Sequence, residues 1–134
     1  MVHHVTVADV ISKVRQIAAA HPDHIYDKIG DCVNVETDEN GVLVGSCIIG
    51  KAIVALGISA AELDQRGLNR HDAEHLLRSL GISLGDLEEA WLLEVQRHQD
   101  EGHRWGYAVT AADGKAPALS RCSPLEFDDQ DQPR

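Results

Sequence analysis

Two histidines in the segment HDAEH have the clearest potential for metal chemistry in this sequence. His71 and His75 are four residues apart, so a helix places both imidazoles on one face, and imidazole nitrogens are common zinc ligands. The segment also satisfies the H-x-x-E-H pattern of inverted zinc peptidases. A catalytic zinc site needs a third protein ligand, for which His98 and His103 are the candidates. The alternative is an exposed polar face near a helix start, where the helix dipole favours the two acids of the segment.

A second segment imitates a phosphate-binding loop. The run GSCIIGK, residues 45–51, matches the first seven positions of a P-loop, but Ala52 stands where Ser or Thr must hold magnesium. We therefore interpret the segment as core packing. Cys47 lies at the predicted start of a helix, where a thiolate would be stabilised, yet no histidine is placed beside it by sequence. We expect Cys47 to be a small buried side chain, and we predict no catalytic residue and no cofactor.

The phrase Leu-Gly-Ile-Ser occurs twice, at residues 56–59 and 80–83. Each copy predicts a helix–turn–helix corner, in which Gly takes a left-handed conformation and Ser caps the next helix. Such corners hold recognition helices in DNA-binding regulators. The helices that follow, AAELDQR and LGDLEEAWLLEVQ, carry more acid than base. We therefore favour simple structural corners and keep a DNA-binding regulator as the alternative.

The charge balance restricts the class of partner. The 134 residues include 22 acids and 12 bases, which gives a formal net charge of −10. Affinity for nucleic acid depends on Lys and Arg that neutralise phosphates, so this balance argues against a nucleic-acid surface. It is compatible with a solvated surface, a basic partner or an acidic mimic.

Cysteine usage and hydropathy indicate the compartment. The three cysteines form no C-x-x-C pair, which predicts a reducing environment. The sequence shows neither a signal peptide nor a run of ~20 apolar residues that could span a membrane. We expect a cytoplasmic protein without membrane contact.

Helical periodicity dominates the rest of the sequence. Two short β-rich runs flank TDENG and predict a hairpin. Gly50 lies inside the predicted apolar helix 46–56 and suggests that a neighbouring segment approaches the helix closely there. In the longest helix we expect an inward stripe of Leu84, Leu87, Trp91, Val95 and His98. The predicted fold is mainly α, a compact bundle of five or six helices with a small β-hairpin. The predicted helical segments are residues 6–20, 46–56, 60–66, 71–80, 84–101 and 105–112.

The C-terminal segment differs in composition from the rest. We predict one globular domain over residues 1–113 and a disordered acidic tail over residues 114–134, which holds three of the four prolines. Leu125 and Phe127 lie among acids in that tail, as in disordered segments that dock on a grooved basic partner. The alternative is a solubilising end.

Several segments also occur in a suggestive order. An amphipathic first helix precedes Tyr26, CIIGKA at residues 47–52 leads into Leu56-Gly57, QRHQD covers residues 96–100, and WGYAV covers residues 105–109. In this order they resemble small uncharacterised proteins of actinobacteria and their phages, over roughly residues 6–113. The resemblance implies no assigned activity and transfers no residue role. It favours an accessory protein of a phage or mobile element.

These observations give one main functional hypothesis and two alternatives. The main hypothesis is a non-enzymatic, acidic, cytoplasmic protein that acts through contacts with a protein partner, which would be a host factor if the protein is phage-encoded. The alternatives are a helix-turn-helix DNA-binding regulator and a zinc-binding protein that uses His71 and His75. A homodimer is compatible with all three.

Overall fold

Seven helices and one two-stranded antiparallel sheet form the part of the protein that the structure, a computed structural model, describes: residues 4–26 and 33–121. This confirms the predicted mainly α fold with a small hairpin. The elements in chain order are α1 (Val7–Ala20), β1 (Val35–Thr37), β2 (Leu43–Gly45), α2 (Ile48–Ala55), α3 (Ala60–Gln65), α4 (Ala73–Ser79), α5 (Asp86–Asp100), α6 (Trp105–Lys115) and α7 (Pro117–Arg121).

The first helix begins at a capping box. The Thr6 hydroxyl accepts from the Asp9 backbone N–H, and the Asp9 carboxylate accepts from the Thr6 N–H. The helix ends at His21, the residue before Pro22. Its inward face includes Val10 and Val14, both fully buried, so α1 packs against the core along one side.

The hairpin also has the predicted position. Glu36 pairs with Val44 at the centre of the ladder, and Asp38 organises the turn by accepting N–H groups from Asn40 and Val42. Gly41 has a φ of +80°, a conformation that favours glycine. The hairpin leads directly into α2.

Helix α2 forms the centre of the core. Ile48, Ile49 and Ile53 have no exposed surface. A Cβ atom added at Gly50 would lie 1.9 Å from the Asn34 carbonyl oxygen, so only glycine permits this contact between the helix and the loop before β1. The predicted close approach at Gly50 is confirmed.

The two corners have the predicted backbone but differ in their caps. Gly57 and Gly81 have φ values of +103° and +80°. The Ser59 hydroxyl caps α3 by accepting the Glu62 N–H. The same role predicted for Ser83 is wrong, because α5 begins two residues later with Gly85 as its N-cap, and the Glu88 carboxylate accepts the Gly85 N–H.

The inward face of α5 differs from the predicted stripe. Leu87, in the first turn, is half exposed. The buried residues begin at Trp91 and include two glutamines that bond to neighbouring helices, so the buried face is wider than the apolar pattern indicates. These residues are Trp91, Leu92, Val95, Gln96, His98 and Gln99.

The C-terminal helices extend into the predicted tail. Helix α6 continues to Lys115, and α7 adds a seventh helix, so the prediction of disorder from Gly114 is wrong for residues 114–121. Ala116 between the two helices is fully buried, which explains why this part packs on the domain. Leu125 and Phe127 lie outside the described residues. Within the described ranges, no helix combines the length and apolar character that crossing a membrane requires.

Candidate functional site

A cleft of about 540 Å³ lies where α1, α2 and the start of α6 meet. This volume falls within the range of typical ligand sites, about 300–1,000 Å³. Helix α1 and the loop after it form one wall, α2 forms another, and α6 contributes a tryptophan. The lining residues are Lys13, Gln16, Ile17, Ala20, His21, His24, Lys51, Ala55 and Trp105. We call this site the basic cleft.

The charge of the basic cleft is opposite to that of the whole chain. Four of its side chains are bases, two lysines and two histidines, and none of the described residues that line it is an acid. Lys13 Nζ donates to Gln16 Oε1 at 2.9 Å, and Lys51 Nζ donates to the Gly45 carbonyl at 3.0 Å. Because an ammonium group has three N–H donors, each lysine keeps donors for a ligand.

Trp105, which lines the basic cleft, has an indole N–H without a hydrogen-bond partner. The residue is 1% exposed, and its indole Nε1 is buried without a hydrogen-bond partner. The His24 ring packs on it, with ring centroids 4.3 Å apart and an interplanar angle of 50°. A buried donor without an acceptor costs about 1–3 kcal/mol, so an acceptor that reached this nitrogen would be favoured.

Backbone contacts fix the position of Trp105 and His24. The Trp105 N–H donates to the His24 carbonyl at 3.0 Å, and the Gly106 N–H donates to the Pro22 carbonyl at 2.9 Å. A Cβ atom at Gly106 would lie 3.0 Å from that carbonyl oxygen, so glycine permits the approach. The loop after α1 is therefore held directly on the first turn of α6.

The predicted metal pair His71 and His75 occupies the start of α4. The ring centroids lie 6.2 Å apart at 87°. His75 Nδ1 lies 2.8 Å from Asp72 Oδ1, and its side chain is 66% exposed. The potential ligand atoms that lie within 4.8 Å of one another here belong to Asp72, Glu74 and His75, without His71.

The electrostatics of this segment are those of a helix cap. Asp72 Oδ1 accepts the His75 backbone N–H at 2.9 Å and caps α4. The hydrogen bond to Asp72, together with its charge, raises the pKa of His75 above its ordinary value. Partial burial raises the pKa of Asp72, but the hydrogen bonds and charge of His75 lower it by more, so it lies below the usual range. These contacts favour the exposed polar helix start, and zinc binding by His71 and His75 stays a prediction.

A second group of potential ligands lies at the end of α5. One ligand atom from each of His98, Glu101 and His103 lies within 4.8 Å of the others. The sequence indicated the two histidines only as possible additions to the HDAEH segment. The structure brings them to each other instead, and Gly102 between them was the available signal, because glycine there permits a tight helix end.

The loop that imitates a P-loop is filled by the protein itself. Cys47 is fully buried, as expected; its Sγ donates to Asn34 Oδ1 at 3.3 Å and accepts the Gly50 N–H at 3.4 Å. Lys51, which would contact phosphates in a P-loop, donates to the Gly45 carbonyl. These contacts support the interpretation of core packing.

The helix that follows the second corner presents acids at its start. Asp86, Glu88 and Glu89 all lie in the first turn of α5. Carboxylates repel the phosphate backbone, whereas a recognition helix needs Arg, Lys, Asn or Gln at such positions. The acids do not support the DNA-binding alternative, which stays an untested prediction.

Comparisons with known proteins supply neither a family nor a relative for this chain. A scan against protein-family models found no match for the chain, and searches of curated proteins and of solved structures found none either. The proposal below therefore depends on the contacts and charges described above.

Proposed function

We propose that this protein is a non-enzymatic binding protein that takes an acidic segment of a protein partner into the basic cleft. The observation that carries the proposal is the concentration of four bases around a cleft of about 540 Å³, without an acid among its described lining residues, in a chain of net charge −10. This local charge is complementary to a carboxylate.

The cleft offers separate contacts for the charged and the apolar parts of such a segment. Lys13 and Lys51 present ammonium donors, and charge-assisted hydrogen bonds to carboxylates are stronger than neutral ones. Ile17 and Ala55 provide apolar wall for an aliphatic or aromatic side chain. The expected ligand is therefore a short sequence in which an acid stands next to an apolar residue.

The negative charge of the whole chain limits how acidic a partner can be. It repels an extensively acidic partner at distances within about 8–10 Å, the Debye length at physiological salt, whereas the cleft attracts only a local charge. We therefore expect isolated acids in a neutral or basic surrounding to be preferred over long acidic runs.

The chemistry of the lining supports binding rather than catalysis. The described residues of the basic cleft include no hydroxyl, thiol or carboxylate side chain. Nucleophilic catalysis uses such groups together with an oriented base. The remaining groups that can act as nucleophiles are the lysine amines and the imidazoles, and both lysine amines donate hydrogen bonds within the protein.

The wider biological role rests on the sequence alone. The likeness to small actinobacterial and phage proteins favours a cytoplasmic accessory protein directed at a host factor, and this remains part of the proposal. A homodimer is compatible with it, because the basic cleft is formed within one chain.

A peptide-display selection against the immobilised full-length protein tests the proposal. We expect enriched peptides to carry Asp or Glu next to an apolar residue. In Lys13→Glu, the affinity of an enriched peptide should fall at least tenfold, because the reversed charge repels the carboxylate. Lys115→Glu is the matched control: it changes the net charge equally on the exposed end of α6 and should leave affinity unchanged.

Two results would overturn the proposal. One is a selection that enriches no acidic peptide, and the other is an equal loss of affinity in both lysine variants. If free glutamate or another small carboxylate binds the cleft while no peptide does, the ligand is a small molecule and the assignment of a protein partner is wrong.

A further inference from the structure

We propose that His98, Glu101 and His103 form a binding site for a divalent transition-metal ion, such as Zn²⁺, at the C-terminal end of α5. We call this group the α5 cluster. It is independent of the basic cleft and of the proposed function, because none of its three residues lines the cleft.

The backbone at the end of α5 places the two histidines together. The His103 N–H donates to the His98 carbonyl, and the Gly102 N–H donates to the Gln99 carbonyl, both at 3.0 Å, with Gly102 at a φ of +91°. This is a Schellman motif, which brings the side chains of its first and last residues into contact. The two imidazole centroids lie 5.3 Å apart.

Three other helices in the described part of the chain end in the same motif and use it differently. In each, a backbone N–H donates to the carbonyl five positions earlier at 2.9–3.3 Å. The side chains of the two residues that this bond joins are apolar and buried. The pairs are Ile53 with Ile58, Leu63 with Leu68, and Leu77 with Ile82. An apolar pair is thus sufficient to pack a helix end of this kind. Among the described helices, α5 has two imidazoles at these positions instead.

The distances within the α5 cluster are close to those of a metal site. One ligand atom from each residue lies within 4.8 Å of the other two, and His103 Nε2 lies 3.8 Å from Glu101 Oε1. Ligands of a tetrahedral zinc ion, each about 2.1 Å from the metal, are about 3.4 Å apart. Side-chain rotations that shorten these separations by up to about 1.4 Å would close the site.

His98 has a ring nitrogen that the protein leaves unused. The residue is 9% exposed, and its Nδ1 is buried without a hydrogen-bond partner. Its Nε2 lies 2.9 Å from Glu94 Oε2 and 3.1 Å from Arg97 Nη2. Histidines that bind metals usually donate their second nitrogen to a carboxylate, which fixes the ring and leaves a lone pair on the other nitrogen. Glu94 supplies this carboxylate.

Neighbouring side chains orient the other parts of the α5 cluster. Arg97 donates to Glu101 Oε2 at 3.1 Å and to Glu94 Oε2 at 2.7 Å, so it holds both carboxylates. The Tyr107 ring packs edge-on against His98 at 5.3 Å and lies 4.9 Å from His103. The site therefore has supporting contacts around its ligands, as metal sites require.

The α5 cluster is a stronger metal site than the group at the start of α4. In that group, the His75 Nδ1 and the Asp72 carboxylate are already bonded to each other as part of a helix cap, and His75 is mostly exposed. A set of two imidazoles and one carboxylate leaves one tetrahedral position for water or a ligand from a partner. The chemistry of these donors suits Zn²⁺ or Co²⁺ better than Ca²⁺ or Mg²⁺.

Calorimetric titration of the untagged full-length protein with Zn²⁺ tests the site, with Co²⁺ absorption as a spectroscopic readout of tetrahedral nitrogen and oxygen ligation. We expect one equivalent to bind. His103→Gln, at a half-exposed position, should lower the affinity at least tenfold and remove the Co²⁺ bands. His75→Gln is the matched control and should change neither.

Folding is checked separately, because a variant of buried His98 could fail to fold. Circular dichroism of His103→Gln and of a second variant, Glu101→Gln, should match that of the unchanged protein. The proposal is wrong if the protein binds no zinc at micromolar concentration, or if both variants bind it with unchanged affinity. A loss in His75→Gln alone would assign the metal to the start of α4 and would equally overturn it.

Discussion

At the scale of single residues, Asp72 and His75 form a coupled pair at the first turn of α4. The Asp72 carboxylate bonds to both the backbone N–H and the ring of His75. Because the hydrogen bond and the charge of Asp72 stabilise the imidazolium, the pKa of His75 lies above 6.5; Glu74 adds to this effect and Arg78 opposes it. Asp72 has the opposite shift, to a pKa below 3.8.

The signs of the two shifts define the pH range of the interaction. A raised folded-state pKa means that His75 contributes stability fully below pH 6.5, and this contribution is lost as the pH rises through the raised value. A lowered pKa means that Asp72 contributes above pH 3.8, and this contribution is lost as the pH falls through the lowered value. The pair is therefore strongest in mildly acidic solution.

We predict that Asp72→Asn returns the pKa of His75 towards 6.5, because the variant removes the charge but keeps a good helix cap. Titration of the histidine ring signals by NMR measures this. Glu39→Gln, which makes the same charge change at an exposed residue in the hairpin turn, should leave the His75 curve in place. An unchanged His75 pKa in Asp72→Asn would show that the pair does not exist in solution.

At the scale of elements, α5 completes the hydrogen bonding of two other helices. The Gln99 side-chain oxygen accepts the Ile48 N–H at the start of α2, at 2.7 Å, and the Gln96 oxygen accepts the Ala73 N–H at the start of α4, at 2.8 Å. Both glutamines are buried. The first turns of helices have N–H groups without partners inside the helix, so these amides act as caps from a distance.

We predict that Gln99→Leu destabilises the protein by about 1–3 kcal/mol, because it leaves the Ile48 N–H buried without an acceptor. Urea unfolding followed by circular dichroism measures the change. The control is Gln65→Leu, at an exposed position of α3, which should stay within about 0.5 kcal/mol of the unchanged protein. Equal losses in the two variants would mean that the buried bond adds nothing.

Local pattern was sufficient for some elements and insufficient for others. The helices, the hairpin and the turns at Gly57 and Gly81 follow from apolar spacing and from the conformational freedom of glycine, which are properties of neighbouring residues. The roles of Gln96 and Gln99 do not follow, because their partners are 23 and 51 positions away in the chain. The prediction that Leu87 lies in the core was wrong as well. Its apolar character and spacing are local properties, and they do not show whether another element covers this turn of the helix.

The two candidate sites also differ in how far the sequence predicted them. The basic cleft was not predicted, because its bases come from α1, the following loop and α2, and only the packing of these segments brings them together. In the α5 cluster, His98 and His103 were noticed as possible ligands from residue type. Their mutual contact depends on the tight helix end at Gly102, which brings the two rings together.

At the scale of the whole molecule, a mostly buried ion pair joins α1 to α6. Arg15 on α1 makes two hydrogen bonds to the Asp113 carboxylate on α6, at 2.7 and 3.0 Å. The Trp91 indole of α5 donates to the same carboxylate at 2.9 Å, and the Arg15 guanidinium lies 4.9 Å from the Trp91 ring centre. Helix α1 is thereby fixed to the consecutive helices α5 and α6.

We predict that Arg15→Met and Asp113→Leu each destabilise the protein by about 3 kcal/mol, since each leaves a mostly buried charge without its partner. The double variant should lose clearly less than the sum, with a coupling of about 1–3 kcal/mol in a double-mutant cycle measured by urea unfolding. The exposed pair Arg78 and Glu74, replaced in the same way, should couple by less than about 1 kcal/mol. Additive losses at Arg15 and Asp113 would mean that the ion pair does not hold the helices together. Packing around Trp91 would then be the main connection between α1 and α6.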